Sequence, residues 1–327
     1  MGLGLFGVGM KNNYKNLRVA VIGAGVIGLY LAWRLSKTGY KVTVFERNKQ
    51  IGQKPCSGLI SERIKNFIPV CDSLIENKIE SFLIHFPRKT VNLRLNPVHL
   101  AVNRQKLDEY LYNLVKDNGG EILLGQPVQG FPEGFDRVIG CDGSLSKVRE
   151  LLSLPKPSFR LGLQIFLPIQ DFSNQVEIWS KNSGFCWKIP RGCRIEYGAI
   201  GKIRLVQKDF KEFCQSQKID IDKYELKSAL IPGGLVLPKN GKISLCGDAA
   251  GLVKPWSGGG VIWGLTAAEI LLKHFPDFER YHREVKKFFR AKIIKGKVIC
   301  FLTYFFGNNF PYILPSKITR DNDFPVL

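Results

Sequence analysis

The chain has 327 residues, 45% of them hydrophobic and 11% aromatic, which is typical of a globular protein of about two domains rather than of a disordered one. Its formal charge of +20 favours partners such as anionic lipid headgroups or phosphorylated substrates. The eight cysteines include no Cys-x-x-Cys pair, which argues against a zinc site or a disulfide framework and fits a cytoplasmic location. No segment reaches the roughly 18 apolar residues that a spanning helix needs.

Residues 1–17 are predicted to form an N-terminal extension. The first ten residues lack the basic start and the cleavage site of a signal peptide, and Met10 is an alternative start. The extension is followed by an apolar strand at 18–22, a helix at 26–38 and a second strand at 41–45. This order predicts a β-α-β unit at the start of a parallel sheet.

A glycine motif joins the first strand to the helix. Gly23 permits a tight turn, Gly25 lets the backbone approach a pyrophosphate, and Gly28 lets the helix pack on the strand. Glu46 ends the second strand, where a carboxylate can bind ribose hydroxyls. With strand, helix and acid all in place, the motif predicts dinucleotide binding rather than a plain turn.

The middle of the chain alternates between the two expected sheets. A loop at 51–61 precedes a hairpin at 82–86 and 90–95, and a helix at 103–118 opens with Asn103 as its cap. Two further strands are expected to rejoin the first sheet, and they are at 121–124 and 137–139.

Residues 160–235 have the pattern of an antiparallel sheet. Its predicted strands are at 161–167, 175–179, 185–189 and 194–200. A strand at 242–246 and a helix at 260–274 follow, and the tail 277–327 is predicted to be basic and helical.

Two more motifs follow predicted strands: Asp-Gly-x-x-Ser-x-x-Arg at 142–149 and Gly-Asp-Ala-Ala-Gly at 247–251. With the glycine motif, in this order and spacing, they resemble the flavoprotein superfamily of aromatic hydroxylases, halogenases and geranylgeranyl reductases. The resemblance covers about 18–275. It implies an α/β fold with a Rossmann-like FAD-binding domain of the aromatic-hydroxylase type and a second, antiparallel-sheet substrate domain.

The resemblance also implies the domain bounds. The discontinuous FAD-binding domain would comprise 18–60, 97–159 and 236–276, and the substrate domain would comprise 61–96 and 160–235.

The resemblance further implies roles for single residues. Asp248 would hold the ribityl chain of FAD, Asp142 would lie near the pyrophosphate, and Arg104 would contact the pyrophosphate region. The full set of implied FAD-binding residues is Gly23, Gly25, Gly28, Glu46, Arg47, Cys56, Ser57, Gly58, Arg104, Val128, Asp142, Gly143, Gly247, Asp248, Gly258, Gly259, Gly260 and Val261.

Three further segments are similar to the geranylgeranyl reductases in particular. Residues 54–61 resemble their Cys-x-Gly-Leu loop, 184–192 their Tyr-x-Trp-x-Phe-Pro segment, and 254–260 their proline-then-glycine turn. The match is imperfect, because Phe185 replaces the usual Tyr and Ile189 the usual Phe. The middle segment also resembles the Trp-x-Trp-x-Ile-Pro motif of flavin halogenases, whose first Trp is replaced here as well.

This middle segment is the candidate substrate wall. Strand alternation sends Phe185, Trp187 and Ile189 to one face, and alternation alone leaves open whether they seal a core or wall a tunnel. The resemblance favours the tunnel, with Phe185, Trp187, Pro190 and Pro255 as the substrate contacts.

Cys56 is the candidate catalytic residue. The resemblance places it beside the flavin, where a thiol can serve as a proton donor, and the alternative is a small buried residue in a tight loop. No metal site is predicted, because the four histidines have no metal-ligand spacing.

The leading hypothesis is a reductase that saturates carbon–carbon double bonds of an isoprenoid chain on a phosphate or phospholipid. Its cofactor would be non-covalent FAD, with NAD(P)H or ferredoxin as possible redox partners. Alternatives are a flavin monooxygenase or halogenase, and a non-redox prenyl carrier. The tail from Arg280 to aromatic Phe301–Phe306 predicts peripheral binding to an anionic membrane, or else a solvated basic helix. No nucleic-acid partner is expected, since no recognition motif accompanies the charge.

Overall fold

A computed structural model describes residues 16–181 and 184–324. In chain order its strands are β1 (Arg18–Ile22), β2 (Lys41–Glu46), β3 (Leu59–Ser61), β4 (Ile75–Phe86), β5 (Lys89–Val102), β6 (Glu121–Leu124), β7 (Arg137–Gly140), β8 (Ser158–Leu167), β9 (Gln175–Lys181), β10 (Gly184–Pro190), β11 (Ile195–Gly201), β12 (Lys227–Gly233), β13 (Ile243–Leu245) and β14 (Lys317–Arg320). The helices are α1 (Val26–Lys37), α2 (Arg104–Asp117), α3 (Lys147–Leu151), α4 (Val206–Ser216), α5 (Val261–His274) and α6 (Phe278–Asn309).

The first sheet is parallel and has five strands in the order β13-β7-β1-β2-β6. Its central strand, β1, is buried after Arg18, which is why it reads as a continuous apolar run rather than an alternating one. Helices α2 and α5 pack against α1, and the first half of α6 adds Phe278, Tyr281 and Phe289 to the same core. The carboxyl ends of the strands share one edge, where ligands of such sheets bind.

The second sheet has nine strands, ordered β12-β8-β11-β10-β9-β4-β5-β14, with β3 paired to β5. One face packs on α4 through Phe210 and Phe213. The predicted α/β fold with two sheets is confirmed. The second sheet is mixed rather than wholly antiparallel, because β4 pairs in parallel with β9 and β14 with β5.

Other elements differ from the sequence predictions. The predicted hairpin strands are much longer, so that 97–102 continues β5 in the second sheet. Helix α4 was not predicted, although its alternation of exposed and buried residues is strongly amphipathic. The tail is helical only to Asn309, and β14 then joins the edge of the second sheet.

Candidate functional site

The glycine turn after β1 has the geometry that its sequence predicts. Gly23 has a φ of +104°, and a Cβ there would lie 2.6 Å from the carbonyl oxygen of Cys141. A Cβ on Gly28 would lie 2.0 Å from the carbonyl oxygen of Gly23. Only glycine at position 28 therefore lets the helix approach the turn this closely. A Cβ on Gly25 would meet nothing within 4 Å, and Gly25 lines a cavity. The open space therefore lies in front of the N-terminus of α1.

That helix end is suited to an anion. Gly25 is the N-cap of α1 and no side chain caps the helix, whose first turn holds no acidic residue. Uncapped N–H groups and the positive end of the helix dipole together form a phosphate site.

Glu46 stands beside this turn at the end of β2. Its carboxylate accepts hydrogen bonds from the backbone N–H of Ala24 at 2.8 Å and of Asn48 at 2.9 Å. The loop after β6 joins the same edge, because Gln126 N donates to the carbonyl of Glu46 at 2.8 Å. Half-buried Val128 lies in this loop, and Arg47 is exposed. Glu46 thus holds the backbone of the glycine turn, and its predicted contact with a ribose stays a prediction.

Asp142 organises the second motif. One oxygen accepts from Lys147 N at 2.6 Å and from Val148 N at 3.1 Å, which starts α3. The other oxygen, Oδ1, is buried without a hydrogen-bond partner in the part of the chain that the structure describes. Arg149 ties the second motif to the third by donating to the carbonyl of Ala249 at 2.9 Å. The two motifs that are far apart in sequence therefore form one structural unit, with Gly143 lining the cavity.

Asp248 lines the same cavity and is paired with Lys54 at 2.7 Å. Burial acts to lower the pKa of Lys54, but the Asp248 carboxylate raises it above its usual value. Gly247 has a φ of +65°, and a Cβ there would lie 3.1 Å from Cγ1 of Ile27 in α1, which brings the third motif to the glycine turn.

Cys56, in the loop before β3, lies next to Arg104 at the start of α2. Cys56, Ser57 and Arg104 all line the cavity. Burial acts to lower the pKa of Arg104, but neighbouring Cys56 and Asp108 raise it above its usual range. Its Nε is buried without a hydrogen-bond partner among the described residues. Gly58 is required beside them, since its φ is +61° and a Cβ would lie 2.2 Å from the carbonyl oxygen of Val102.

The glycine turn before α5 closes the site. Gly258, Gly259, Gly260 and Val261 line the cavity, and no side chain caps the helix at Gly260. A Cβ on Gly260 would lie 2.8 Å from Oδ1 of Asp248. The turn therefore lies beside the third motif and presents a second uncapped helix N-terminus to the cavity.

One cavity of about 250 Å³ lies between the two sheets, and its polar end is lined by Gly25, Lys54, Cys56, Ser57, Arg104, Gly143, Asp248 and the Gly258–Val261 turn. The predicted cofactor residues Gly23, Gly28, Glu46, Arg47, Gly58, Val128, Asp142 and Gly247 are not among its lining residues. Its other wall is the face of the second sheet that points away from α4. Apolar side chains make most of that wall, and they are Phe82, Val176, Ile178, Phe185, Trp187, Ile189, Ile200 and Ile231. A polar end and an apolar end thus belong to one continuous space.

The predicted alternation along β10 is observed. Phe185, Trp187 and Ile189 line the cavity, whereas Cys186 packs with the α4 cluster on the opposite face. Pro190 and Pro255, the other two predicted substrate contacts, are not among the lining residues. Pro190 is buried at the strand end, where its carbonyl accepts from Asn77 Nδ2, and Pro255 packs toward Gly296 of α6.

The cavity also contains polar residues that the sequence did not indicate. His99, Gln164, Lys254 and Asn322 line it. Burial lowers the pKa of His99 to about 4, so the imidazole is neutral near pH 7. The sequence carries no local signal for His99, Gln164 and Asn322, which lie in strands or the tail, whereas Lys254 begins the 254–260 turn without being a predicted site residue.

The residues of the polar end fit FAD. The Gly25 cradle and the uncapped end of α1 suit a pyrophosphate. The unpartnered Asp142 Oδ1 and Arg104 Nε are a buried acceptor and a buried donor with unused hydrogen-bonding capacity. These groups are too widely spaced to bind one small ion together, whereas an elongated dinucleotide would contact them along its length.

Comparisons with known proteins agree with this geometry. A family model described as "FAD dependent oxidoreductase" matches residues 18–62. The chain is 22% identical to an uncharacterised protein of Methanosarcina barkeri, over 91% of this chain and 85% of that one. It is 24% identical to the chloroplastic geranylgeranyl diphosphate reductase of Nicotiana tabacum, over 79% and 66%, and 22% identical to the digeranylgeranylglycerophospholipid reductase of Thermoplasma acidophilum, over 86% of each.

Solved structures share the fold. A geranylgeranyl bacteriochlorophyll reductase-like protein from Thermoplasma acidophilum superposes with a TM-score of 0.76 at 20% identity, over 88% of each chain. A flavin-dependent brominase gives 0.72 at 15% identity, over 90% of this chain and 88% of that one. The predictions of an FAD-dependent oxidoreductase and of a resemblance to geranylgeranyl reductases are confirmed by these comparisons.

Proposed function

We propose that the protein is an FAD-dependent reductase that saturates carbon–carbon double bonds of an isoprenoid chain. The observation that carries this proposal is one continuous cavity in which the groups that fit FAD face an apolar wall. An isoprenoid chain is apolar along its whole length, and such a wall binds it by excluding water. The reductase relatives from tobacco and Thermoplasma support the same substrate class.

When bound and reduced, FAD supplies the hydride for such a reaction. The protein must hold the alkene and provide a proton for its second carbon. In the proposal, Trp187 and Ile189 fix the chain, because an isolated alkene is a poor hydride acceptor and must be positioned closely. Cys56 is the proposed proton donor, since its thiol lines the cavity next to Arg104.

The decisive experiment incubates the dithionite-reduced protein with geranylgeranyl lipids under anaerobic conditions. Mass spectrometry should show products that have gained two hydrogen atoms for each bond reduced. Cys56→Ser tests the proton donor, and it should retain FAD but lose most turnover. The matched control is Cys71→Ser, because Cys71 is an exposed cysteine outside the cavity. Prenyl lipids that return unchanged from reduced wild-type protein would contradict the proposal.

A flavin-dependent halogenase or monooxygenase is the second candidate, favoured by the shared fold with the brominase. The same preparation separates the two reactions. A reductase consumes reduced FAD in the absence of oxygen when prenyl lipid is added, whereas the second candidate forms product only with oxygen. A purified protein without flavin colour would favour the third hypothesis, a prenyl carrier.

We further propose that the enzyme meets its lipid at a membrane surface, through an apolar stripe on the second half of α6. Ile294, Val298, Phe301 and Phe305 are 56%, 52%, 67% and 44% exposed. They are spaced by four, three and four residues, so they share one face of the helix. Residues 285–309 contain six Lys or Arg and no Asp or Glu. A basic helix with one apolar face is typical of binding in the plane of an anionic bilayer.

The other side of α6 lies over the protein. Gly296 faces the ring of Trp256 and Gly307 faces Phe86, and a Cβ at either position would lie under 3 Å from those rings. The helix therefore bridges the two sheets close to the cavity. No described helix is long and apolar enough to cross a bilayer, so the proposed association is peripheral.

Vesicle sedimentation tests this surface. Wild-type protein should sediment with anionic vesicles at low salt and be released at about 1 M salt, where screening reaches only about 3 Å. The double variant Phe301→Ser, Phe305→Ser should weaken sedimentation. Phe172→Ser should not, because Phe172 is an exposed phenylalanine between β8 and β9, outside the stripe. Equal binding of the double variant and the wild type would contradict the role of the stripe.

A further inference from the structure

Two buried charges of opposite sign meet behind the glycine turn that precedes α5. Lys254 is 6% exposed and Asp323 is fully buried, and Lys254 Nζ lies 3.1 Å from Asp323 Oδ1. Arg63 approaches the other oxygen of Asp323 at 3.3 Å and pairs with Asp321 at 2.6 Å. Burial acts to raise the pKa of Asp323, but Lys254 and its other partners lower it below the usual value. The carboxylate is therefore ionised near neutral pH.

The end of the described chain is held in place there by several contacts. Trp263 Nε1 of α5 donates to the carbonyl of Asp323 at 2.9 Å, and Trp256 Nε1 donates to the side-chain oxygen of Asn322 at 3.0 Å. Asn322 Nδ2 also lies 3.3 Å from Nε2 of His99 on β5. Residues 321–323 thus fill the seam between the α5 turn and the second sheet.

Lys254 belongs to the turn itself. Its N–H donates to the carbonyl of Gly259 at 3.1 Å, and its own carbonyl accepts from Gly258 N at 2.9 Å. The side chain lies back against Gly259, since a Cβ there would be 3.0 Å from Lys254 Cε and 3.5 Å from its Nζ. Lys254 also lines the cavity. Its ammonium is therefore fixed at the cofactor end, beside the uncapped N-terminus of α5.

This location is unfavourable for a cation on structural grounds alone. The N-terminus of a helix carries partial positive charge, which repels a cation, and burying an ammonium costs several kcal/mol unless it is well compensated. An ammonium has three donors, and only two acceptors, Asp323 Oδ1 and the carbonyl of Asn322, are found for it among the described residues. One donor remains for an anion or an acceptor in the cavity.

We propose that Lys254, positioned by Asp323, is the fixed positive charge that favours the reduced, negatively charged form of the bound flavin. The helix N-terminus and the ammonium act in the same direction, because both lower the energy of negative charge at the Gly258–Gly260 turn. Asp323 has two opposing effects: it holds the ammonium in place, and its own charge partly offsets that of Lys254. The inference rests on the proposed FAD site and not on the isoprenoid substrate.

The test measures the two-electron midpoint potential of bound FAD by equilibration with a reference dye during slow enzymatic reduction. Lys254→Met should lower the potential by about 30 mV or more, which corresponds to a tenfold weaker relative binding of reduced FAD. Lys254→Arg keeps the charge and should stay near the wild type. Asp323→Asn keeps an acceptor for Lys254 and removes a negative charge, so it should raise the potential. Lys211→Met, which removes an exposed charge on α4, is the control and should leave the potential unchanged.

A purely structural role for the ion pair predicts a different result. In that case Lys254→Met would lower the melting temperature and leave the potential of the retained FAD unchanged, which would overturn the proposal. If Lys254→Met does not fold, Asp323→Asn decides, and an unchanged or lower potential overturns the role of the pair. None of these measurements needs a prenyl substrate, so failure here is distinct from failure of the proposed reaction.

Discussion

Replacing Trp187 by alanine distinguishes between two roles for this residue, contact with the substrate chain and packing in the protein core. The indole lies on β10, lines the cavity and is half-buried. Its Nε1 donates to Glu196 Oε1 at 2.9 Å, and its ring covers Gly198 of β11, where a Cβ would lie 2.2 Å from the ring. Arg191 contacts the other oxygen of Glu196 at 3.0 Å. The indole is therefore fixed on one side and open to the cavity on the other.

The expected loss of stability follows from these contacts. Truncating a fully buried Trp costs about 3–5 kcal/mol, and a half-buried one should lose about half of that. The unpaired Glu196 Oε1 adds about 1–3 kcal/mol, because it remains buried without its donor. We therefore expect a loss of about 4 kcal/mol, while FAD remains bound. Trp187→Phe is the matched control, since it keeps an aromatic ring on the wall while losing the N–H and the five-membered ring of the indole.

The assay compares melting temperature, flavin content and turnover with a geranylgeranyl lipid. If the indole walls the substrate path, Trp187→Ala should lose about a hundredfold in turnover, the typical result of a misplacement of about 1 Å. Trp187→Phe should keep most of the turnover with a smaller loss of stability. An alanine variant that melts earlier but turns over normally while folded would refute the reasoning and make Trp187 a core residue.

Three further outcomes are expected. Asp248→Ala should weaken or abolish FAD binding, and full flavin absorbance after gel filtration would show that this assignment is wrong. Gly25→Val should fold but lose FAD affinity, because its side chain would enter the open cradle. Gly28→Ala should instead unfold the turn, because its Cβ would lie 2.0 Å from the carbonyl oxygen of Gly23. Flavin content and melting temperatures equal to those of the wild type would contradict both expectations. Burial lowers the pKa of His99 and of His282 to about 4 from a usual 6.5, so the unfolded chain binds more protons between these values. Stability should be complete above about pH 6.5 and fall towards pH 4, by up to about 3 kcal/mol for each histidine, as measured by denaturant unfolding.

The elements of the cofactor side were predictable because their signals are local. The glycine turn, α1 and the acid at the end of β2 lie within 18–46, and each is encoded by residues next to it in sequence. The helix bounds 26–38 and 103–118 differ from the observed ones by one residue at most at each end. The alternation of β10 was equally readable, since strand side chains alternate whatever their partners are.

The polar lining of the cavity was not predictable, because it is assembled by pairings distant in sequence. β14 joins β5 with Lys317 opposite Asn92, and the segment after β14 then brings Asp323 to Lys254. His99 gave no signal either, since a histidine in a strand reads the same whether its other face is solvent or a cavity. Pro190 and Pro255 do not line the cavity for a related reason: the resemblance gives their place in a motif, and the packing decides which way their rings point.

The C-terminal segment contributes Asp323 to the α5 turn, far in sequence from the residues that the family model matches. The matched family model covers only 18–62, which contains the cradle for the pyrophosphate but neither of the buried charges at the α5 turn. The residues that line the apolar end come from β4, β9, β10, β11 and β12, all after that match. The matched residues therefore contain only part of the proposed cofactor site, since Arg104, Asp248 and the Gly258–Gly260 turn also lie after them. Variants of the glycine turn will report on FAD affinity, whereas variants of Trp187, Lys254 and Asp323 will report on what the bound flavin can reduce.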